Sequence, residues 1–198
     1  MDFEIVQFCN QLGRGVIDPV SRVVCEIWFL AMVWATLAGC AMYFDRVRGR
    51  EVCAALLVGL ALHFLITEAM LKHALLELTS IRLRPYVAHP GDIVPIGTLF
   101  ADSSFPSSHN ATTAAVAMVF GSFYRRTWPV AVVFVLVIAI ARMHNGMHYP
   151  TDVLTGIALG ASYGLAARYI VDRIKQRRRE QEQRSETALP ERSEGAEP

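Results

Sequence analysis

The chain has almost no surplus of charge: 19 lysines and arginines stand against 18 aspartates and glutamates in 198 residues, a net charge of +1. Without a basic excess, and with its basic residues divided among separate loops, it lacks the electrostatic footprint of a nucleic-acid binder. Cysteine is also scarce. The four present, Cys9, Cys25, Cys40 and Cys53, fall at no metal-ligand spacing. Small core residues are the first reading for all four, and a Cys9–Cys25 disulfide in an oxidising compartment is the other. No segment repeats at solenoid periods, and no carboxylate cluster suggests a metal site. The N-terminus lacks the basic-then-apolar order of a cleavable signal peptide.

What the chain does have is apolar length. Hydrophobic residues make up 53% and the mean hydropathy is +0.33, too apolar for an ordinary soluble domain. Near-continuous apolar runs cover residues 25–44, 52–71, 109–124, 128–143 and 153–171. A span needs about 20 such residues, with a range near 17–25. The runs therefore predict an all-α membrane protein, a bundle of about five transmembrane helices. Residues 1–24 mix Phe3, Ile5, Val6, Phe8 and Leu12 with Asp2, Glu4, Gln7, Asn10 and Gln11. That pattern predicts an interfacial amphipathic helix, broken at Asp18-Pro19 before the first span.

Arg46, Arg48, Arg50, Arg125, Arg126 and Arg173 fall on one side of such a bundle, and basic loops stay cytoplasmic. The loops around residues 80–108 and 144–151 then face the opposite side, the periplasm if the membrane is a bacterial inner membrane. Residues 1–172 read as the membrane domain. Residues 173–198 read as a polar cytoplasmic tail, helical at first and disordered at its end.

The chemistry-bearing residues gather in the outward loops. Arg142, His148 and Asp152 follow the spacing Arg-x5-His-x3-Asp, with Pro150 placed to open a helix and Asp152 in its first turn. A carboxylate there can accept a hydrogen bond from one imidazole nitrogen of His148 and leave the other basic. Upstream, Ser107 or Ser108 reads as the N-cap of the third run, and the free N–H groups of a helix start form an anion site beside His109. Arg82 and Arg84 end the second long segment, and guanidiniums are shaped for bidentate phosphate binding. Together these residues predict a phosphoryl-transfer site.

The three stretches resemble, in order, the three motifs of the type 2 phosphatidic acid phosphatase family: K-x6-R-P, then P-S-G-H, then S-R-x5-H-x3-D. Arg84-Pro85 matches the end of the first motif. Pro106, Ser107 and His109 match the second, with Ser108 in place of glycine; Arg142, His148 and Asp152 match the third, with Ala141 in place of serine. The resemblance implies a lipid phosphatase that needs neither metal nor cofactor, with a phosphorylated lipid as its partner. It assigns His148 as nucleophile of a phosphohistidine intermediate, Asp152 as its orienter and His109 as proton shuttle. Arg84 and Arg142, joined by Arg82, Ser107 and Ser108, hold the phosphate.

One position departs. Glu77 stands where the family has lysine, and an acid there repels phosphate; Lys72 and His73 lie nearby but out of register. The departure keeps two alternatives open, a lipid phosphotransferase on the same fold and a non-catalytic lipid-binding or scaffold member. Phosphatidylglycerophosphate, polyprenyl diphosphate, phosphatidate and a lipid A phosphate all fit as substrates. Other polar residues take plainer readings: His63 as a satisfied packing residue and Glu68–Lys72 as a structural ion pair. Tyr149 and Trp128 read as interfacial aromatics, and His89 and His144 as candidate substrate contacts.

Overall fold

The computed structural model describes residues 1–75, 82–100 and 102–187. Two short helices, α1 (Asp2–Gln11) and α2 (Asp18–Val24), precede α3 (Ile27–Phe44) and α4 (Arg46–Leu62). The α4 rod continues as a π-helical stretch, His63–Leu75. A single turn, α5 (Pro85–Ala88), leads through irregular backbone to α6 (Ser108–Phe123), α7 (Trp128–His144) and α8 (Pro150–Thr187). No strand occurs among the described residues.

Among the described residues, four helical rods are long and apolar enough to cross a membrane: Ile27–Phe44, Arg46–Lys72, Arg125–His144 and Pro150–Ser185. The fifth expected span, α6, has only 16 residues, about 24 Å at 1.5 Å per residue. It can be short and carry polar groups because it is the central helix. Val116, Val119 and Phe120 are buried in one cluster with Val52, Ala55 and Leu56 of α4 and Ala167 and Val171 of α8.

The closest packing is between α6 and α8. Gly156, Gly160 and Gly164 put a glycine on three successive turns of α8 facing α6; a Cβ at Gly160 would lie 2.0 Å from the Ala111 carbonyl oxygen. Small residues at such an interface let two backbones approach closely. This contact seats the start of α8 on the start of α6, where Ser107 N–H donates to the Asp152 carbonyl at 3.1 Å.

The N-terminal segment differs from expectation in two ways. Asp18-Pro19 opens α2 rather than breaking a helix, because proline is tolerated in a first turn where its missing N–H costs nothing. The break falls earlier, at Gly13 and Gly15, whose φ values are +62° and +83°. The amphipathic face of α1 also rests on protein. Val6 packs with Ile93 and Tyr149, and Asn10 Nδ2 donates to the carbonyls of His144 and Val94 at 2.6 and 2.8 Å. Tyr149 is consequently buried instead of joining an aromatic belt.

All four cysteines are free thiols. The α8 helix runs unbroken to Thr187, and the expected disordered end, residues 188–198, lies outside the described residues. So does Glu77.

Candidate active site

The last turn of α7 delivers Arg142, the turn at Gly146 (φ +69°) reverses the chain, and the residues before α8 deliver His148. A Cβ at Gly146 would sit 2.5 Å from an Ile93 side-chain atom, so both the turn and its close approach call for glycine. His148 is 2% exposed. Its Nδ1 lies 2.7 Å from the Ser104 carbonyl oxygen. A carbonyl can only accept, so the proton is assigned to Nδ1 and Nε2 keeps its lone pair. That nitrogen faces Arg142 Nη2 at 3.2 Å and Arg84 Nη1 at 3.3 Å. Burial, reinforced by the Arg142 and Arg84 charges, pushes the His148 pKa well below the ordinary histidine value. The imidazole is therefore a neutral, oriented base between two guanidiniums.

Asp152 does not hold that imidazole directly. Its Oδ2 is 4.0 Å from His148 Nδ1, beyond hydrogen-bond reach. The carboxylate instead accepts the Ser104 hydroxyl at 2.5 Å and the Tyr149 N–H at 2.8 Å, while Oδ1 accepts Arg82 Nη1 at 2.6 Å. The reason is local: Asp152 lies in the first turn of α8 and reaches back to a free N–H at the helix start, as an acidic N3 residue does in a capping box. Asp152 thus orients Ser104, and the Ser104 carbonyl orients His148.

Arg82 is placed behind this pair, not at the phosphate position expected from sequence. It donates to Asp152, to Thr151 Oγ1 at 2.8 Å and to Asp2 Oδ2 at 3.1 Å, and stacks 4.4 Å over the Tyr149 ring. Its neighbour Arg84 goes the other way. It is 3% exposed, donates to the Met147 carbonyl at 3.1 Å and to Asp102 Oδ1 at 2.6 Å, and faces the Phe100 ring.

A cavity of about 530 Å³ opens in front of His148. Arg84, Arg142, His109, Lys72 and Asp102 line its polar end, and Ile27, Leu30, Trp34, Leu60 and Phe64 its apolar wall. His109 Nε2 is 2.9 Å from the Cys25 carbonyl, which fixes the ring at the start of α6. Ser108 lines the cavity and donates its hydroxyl to Glu68. Ser107, the N-cap, does not line it: its hydroxyl turns to Asn110 Oδ1 at 2.9 Å. The two other loop histidines are also elsewhere. His144 is held by the Cys9 carbonyl and Asp18 at 2.8 and 2.9 Å, and His89 packs on Phe3.

Sequence reasoning missed three members of this neighbourhood. Ser104 and Asp102 carried no distinguishing signal, being two polar loop residues among several. Lys72 did carry one, but counting residues along the chain placed it out of register. In space its Nζ sits 3.0 Å from Asp102 Oδ2, and Asp102 bridges it to Arg84. Burial pushes the Asp102 carboxyl up, but Lys72 and Arg84 outweigh it and hold the pKa below the usual carboxylate value. Three cations therefore converge on the cavity floor with one carboxylate across two of them.

Residues 52–176 match the family model described as the PAP2 superfamily. A decaprenylphosphoryl-5-phosphoribose phosphatase of Mycobacterium tuberculosis is 43% identical over 77 residues, 38% of this chain and 41% of that protein. The match thus spans less than half the length of that relative. An undecaprenyl-diphosphatase of Bacillus subtilis is 29% identical over 172 residues, 83% of this chain and 81% of that protein. Among solved structures, the fold resembles a transmembrane PAP2 type phosphatidylglycerolphosphate phosphatase from Bacillus subtilis. The TM-score is 0.63 at 21% identity, over 87% of this chain and 85% of that one. LpxE of Aquifex aeolicus gives a TM-score of 0.60 at 17% identity, over 84% and 93%.

Proposed function

The chain belongs to the PAP2 superfamily, and we propose that it is a membrane phosphatase that releases phosphate from a lipid monoester or diphosphate through a phosphohistidine. One observation carries this reading: the unprotonated Nε2 of His148, held between Arg84 and Arg142, faces the end of a cavity whose far wall is apolar. The lipid's hydrocarbon lies along that wall, and its phosphate meets the cations.

His148 Nε2 attacks phosphorus in line, forming the N–P bond as the bond to the lipid oxygen breaks. His109, its Nε2–H held by the Cys25 carbonyl, delivers the Nδ1 proton of its imidazolium form to the leaving oxygen. Water then attacks the phosphohistidine, His109 takes the water's proton, and the N–P bond breaks to regenerate the imidazole. Arg84, Arg142 and Lys72 neutralise the equatorial oxygens, aided by the N–H groups at the start of α6. Lys72 supplies the cation that the motif count assigned to Glu77. With guanidiniums carrying the charge, turnover persists in EDTA.

The site opens away from the cytoplasm: Arg46, Arg48, Arg50, Arg125 and Arg126 lie at the opposite ends of the helices from His148. Residues 1–172 form the phosphatase domain, and residues 173–198 a cytoplasmic tail.

The test is inorganic phosphate release by the full chain purified in detergent, with and without EDTA. It is paired with trapping of label from a radiolabelled lipid phosphate by quenching in alkaline detergent. Acid-labile, base-stable protein-bound label in wild type but not in His148→Ala is the expected result. Turnover with no such label overturns the covalent route, and no phosphate release from any lipid overturns the phosphatase reading. A labelled product lipid formed only with an added acceptor lipid would identify a phosphotransferase instead.

A further inference from the structure

Below the phosphate-binding end, the cavity wall carries two polar groups that the reaction does not use, His63 and Glu68, beside Lys72, which it does. In an α-helix, residues five apart point about 140° from each other. The π-helical winding of His63–Leu75 bonds i to i+5 and stacks them. His63 Nε2 consequently lies 3.6 Å from Glu68 Oε1, and that same oxygen is 3.4 Å from Lys72 Nζ and accepts the Ser108 hydroxyl. Every polar contact of Glu68 among the described residues uses Oε1. The other oxygen, Oε2, is left for a donor. Among the described residues, His63, 2% exposed, has no hydrogen-bond partner for its Nδ1, and the indole N–H of Trp34, which also lines the cavity, has none either.

Unpaired polar groups and a carboxylate inside a membrane cavity are expensive and default to a functional role. A hydrocarbon chain laid on them would leave them unsatisfied. What satisfies them is a ligand group that both donates and accepts, positioned beside the phosphate, since Glu68 Oε1 lies 3.4 Å from Nζ of Lys72, a cation assigned to that phosphate. Resting on the phosphatase reading above, we infer that the His63–Glu68 face recognises a free hydroxyl on the head group that carries the scissile phosphate. The preferred substrate is a lipid-borne polyol phosphate, on glycerol or on a sugar, rather than a phosphate mounted directly on a hydrocarbon or an acylated glycerol.

The experiment compares kcat/KM of the full chain in detergent micelles on five lipids. Two bear a free hydroxyl, phosphatidylglycerophosphate and a polyprenyl-linked phosphosugar, and their ratio tells glycerol from sugar. Three bear none: phosphatidate, a polyprenyl monophosphate and a polyprenyl diphosphate. A site built to bond a hydroxyl discriminates strongly against its absence, so at least one hydroxylated lipid is expected to lead all three by tenfold or more. His63→Phe is expected to shrink that lead about tenfold, and Glu68→Gln serves the same comparison if His63→Phe does not yield folded protein. Equal rates on both groups of lipids overturn the inference while leaving the phosphatase reading intact, as does an undiminished lead in a folded variant. Absence of phosphate release from all five overturns the phosphatase reading and the inference with it.

Discussion

The two ends of the helix bundle are built on opposite principles. At the end away from His148, Ala41, Val52, Val119, Phe120, Ala167 and Val171 form an apolar core closed by the packing of α3, α4, α6 and α8. At the other end, Arg84, Arg142, Ser104, His148 and Asp152 are all buried. Buried charge contributes little net stability even when well paired, so that end is retained for what it does. The comparison teaches where each kind of damage will appear: in folding at one end, in turnover at the other.

The sharpest way to break this division is His148→Ala. Removing the nucleophile should lower kcat by about 10⁴ or more, with the thermal midpoint in detergent close to wild type. Phosphate release and a melting curve on the same preparation check it, and near wild-type turnover in a folded variant removes His148 from the reaction.

Asp152→Asn comes next. The carboxylate acts on His148 through Ser104, and an amide loses the charge while retaining one acceptor, so kcat should fall by about 10²–10³. Ser104→Ala should cost only about tenfold, because the carbonyl that orients the imidazole belongs to the backbone. If Ser104→Ala matches Asp152→Asn, the hydroxyl carries more of the alignment than the carbonyl does.

At the packing end, Gly164→Val puts side-chain atoms where the Met118 side chain and the Ala115 carbonyl already stand, next to the apolar cluster. Overpacking of this kind costs about 1–3 kcal/mol or more. The expected outcome is a lower melting temperature or aggregation, with any folded fraction keeping its kcat. A folded variant with normal stability but a collapsed kcat would show that the two ends are not separable.

Lys72→Met tests the cation that the residue count did not place. It should raise KM about tenfold and change kcat less, since Arg84 and Arg142 remain. The smallest expected effect concerns pH. The folded His148 is harder to protonate than a free histidine, so the reactive neutral form survives as pH falls through the ordinary histidine range. The acid limb of kcat/KM should therefore lie below about pH 6.5, the ordinary histidine pKa. A limb centred at that value would mean the imidazole is more solvated than its burial indicates.

The helices, the loops between them and the candidate residues Arg84, His109, Arg142, His148 and Asp152 were legible in the sequence, because apolar run length and local spacing mark them out. Five spans were expected, yet α6 proved shorter than the other four, because a helix enclosed by protein need not match the bilayer. Arg82 and Arg84 show the limit of spacing most clearly. Two residues apart and alike in chemistry, they serve opposite sides of His148.

What the sequence by itself determined is therefore which local segments are helical and which side chains lie near a helix end. Both follow from hydropathy and from the hydrogen-bonding needs of the terminal turns. Only the tertiary structure decided who touches whom. Ser104 stands between Asp152 and His148, Arg82 faces away from the cavity, and Lys72 reaches the floor beside Arg84. The hydrogen bonds behind those placements join residues 30 to 70 positions apart, brought together by the α6–α8 contact and the π-helical turn of the α4 rod. No local periodicity records them, because each depends on the relative seating of whole helices.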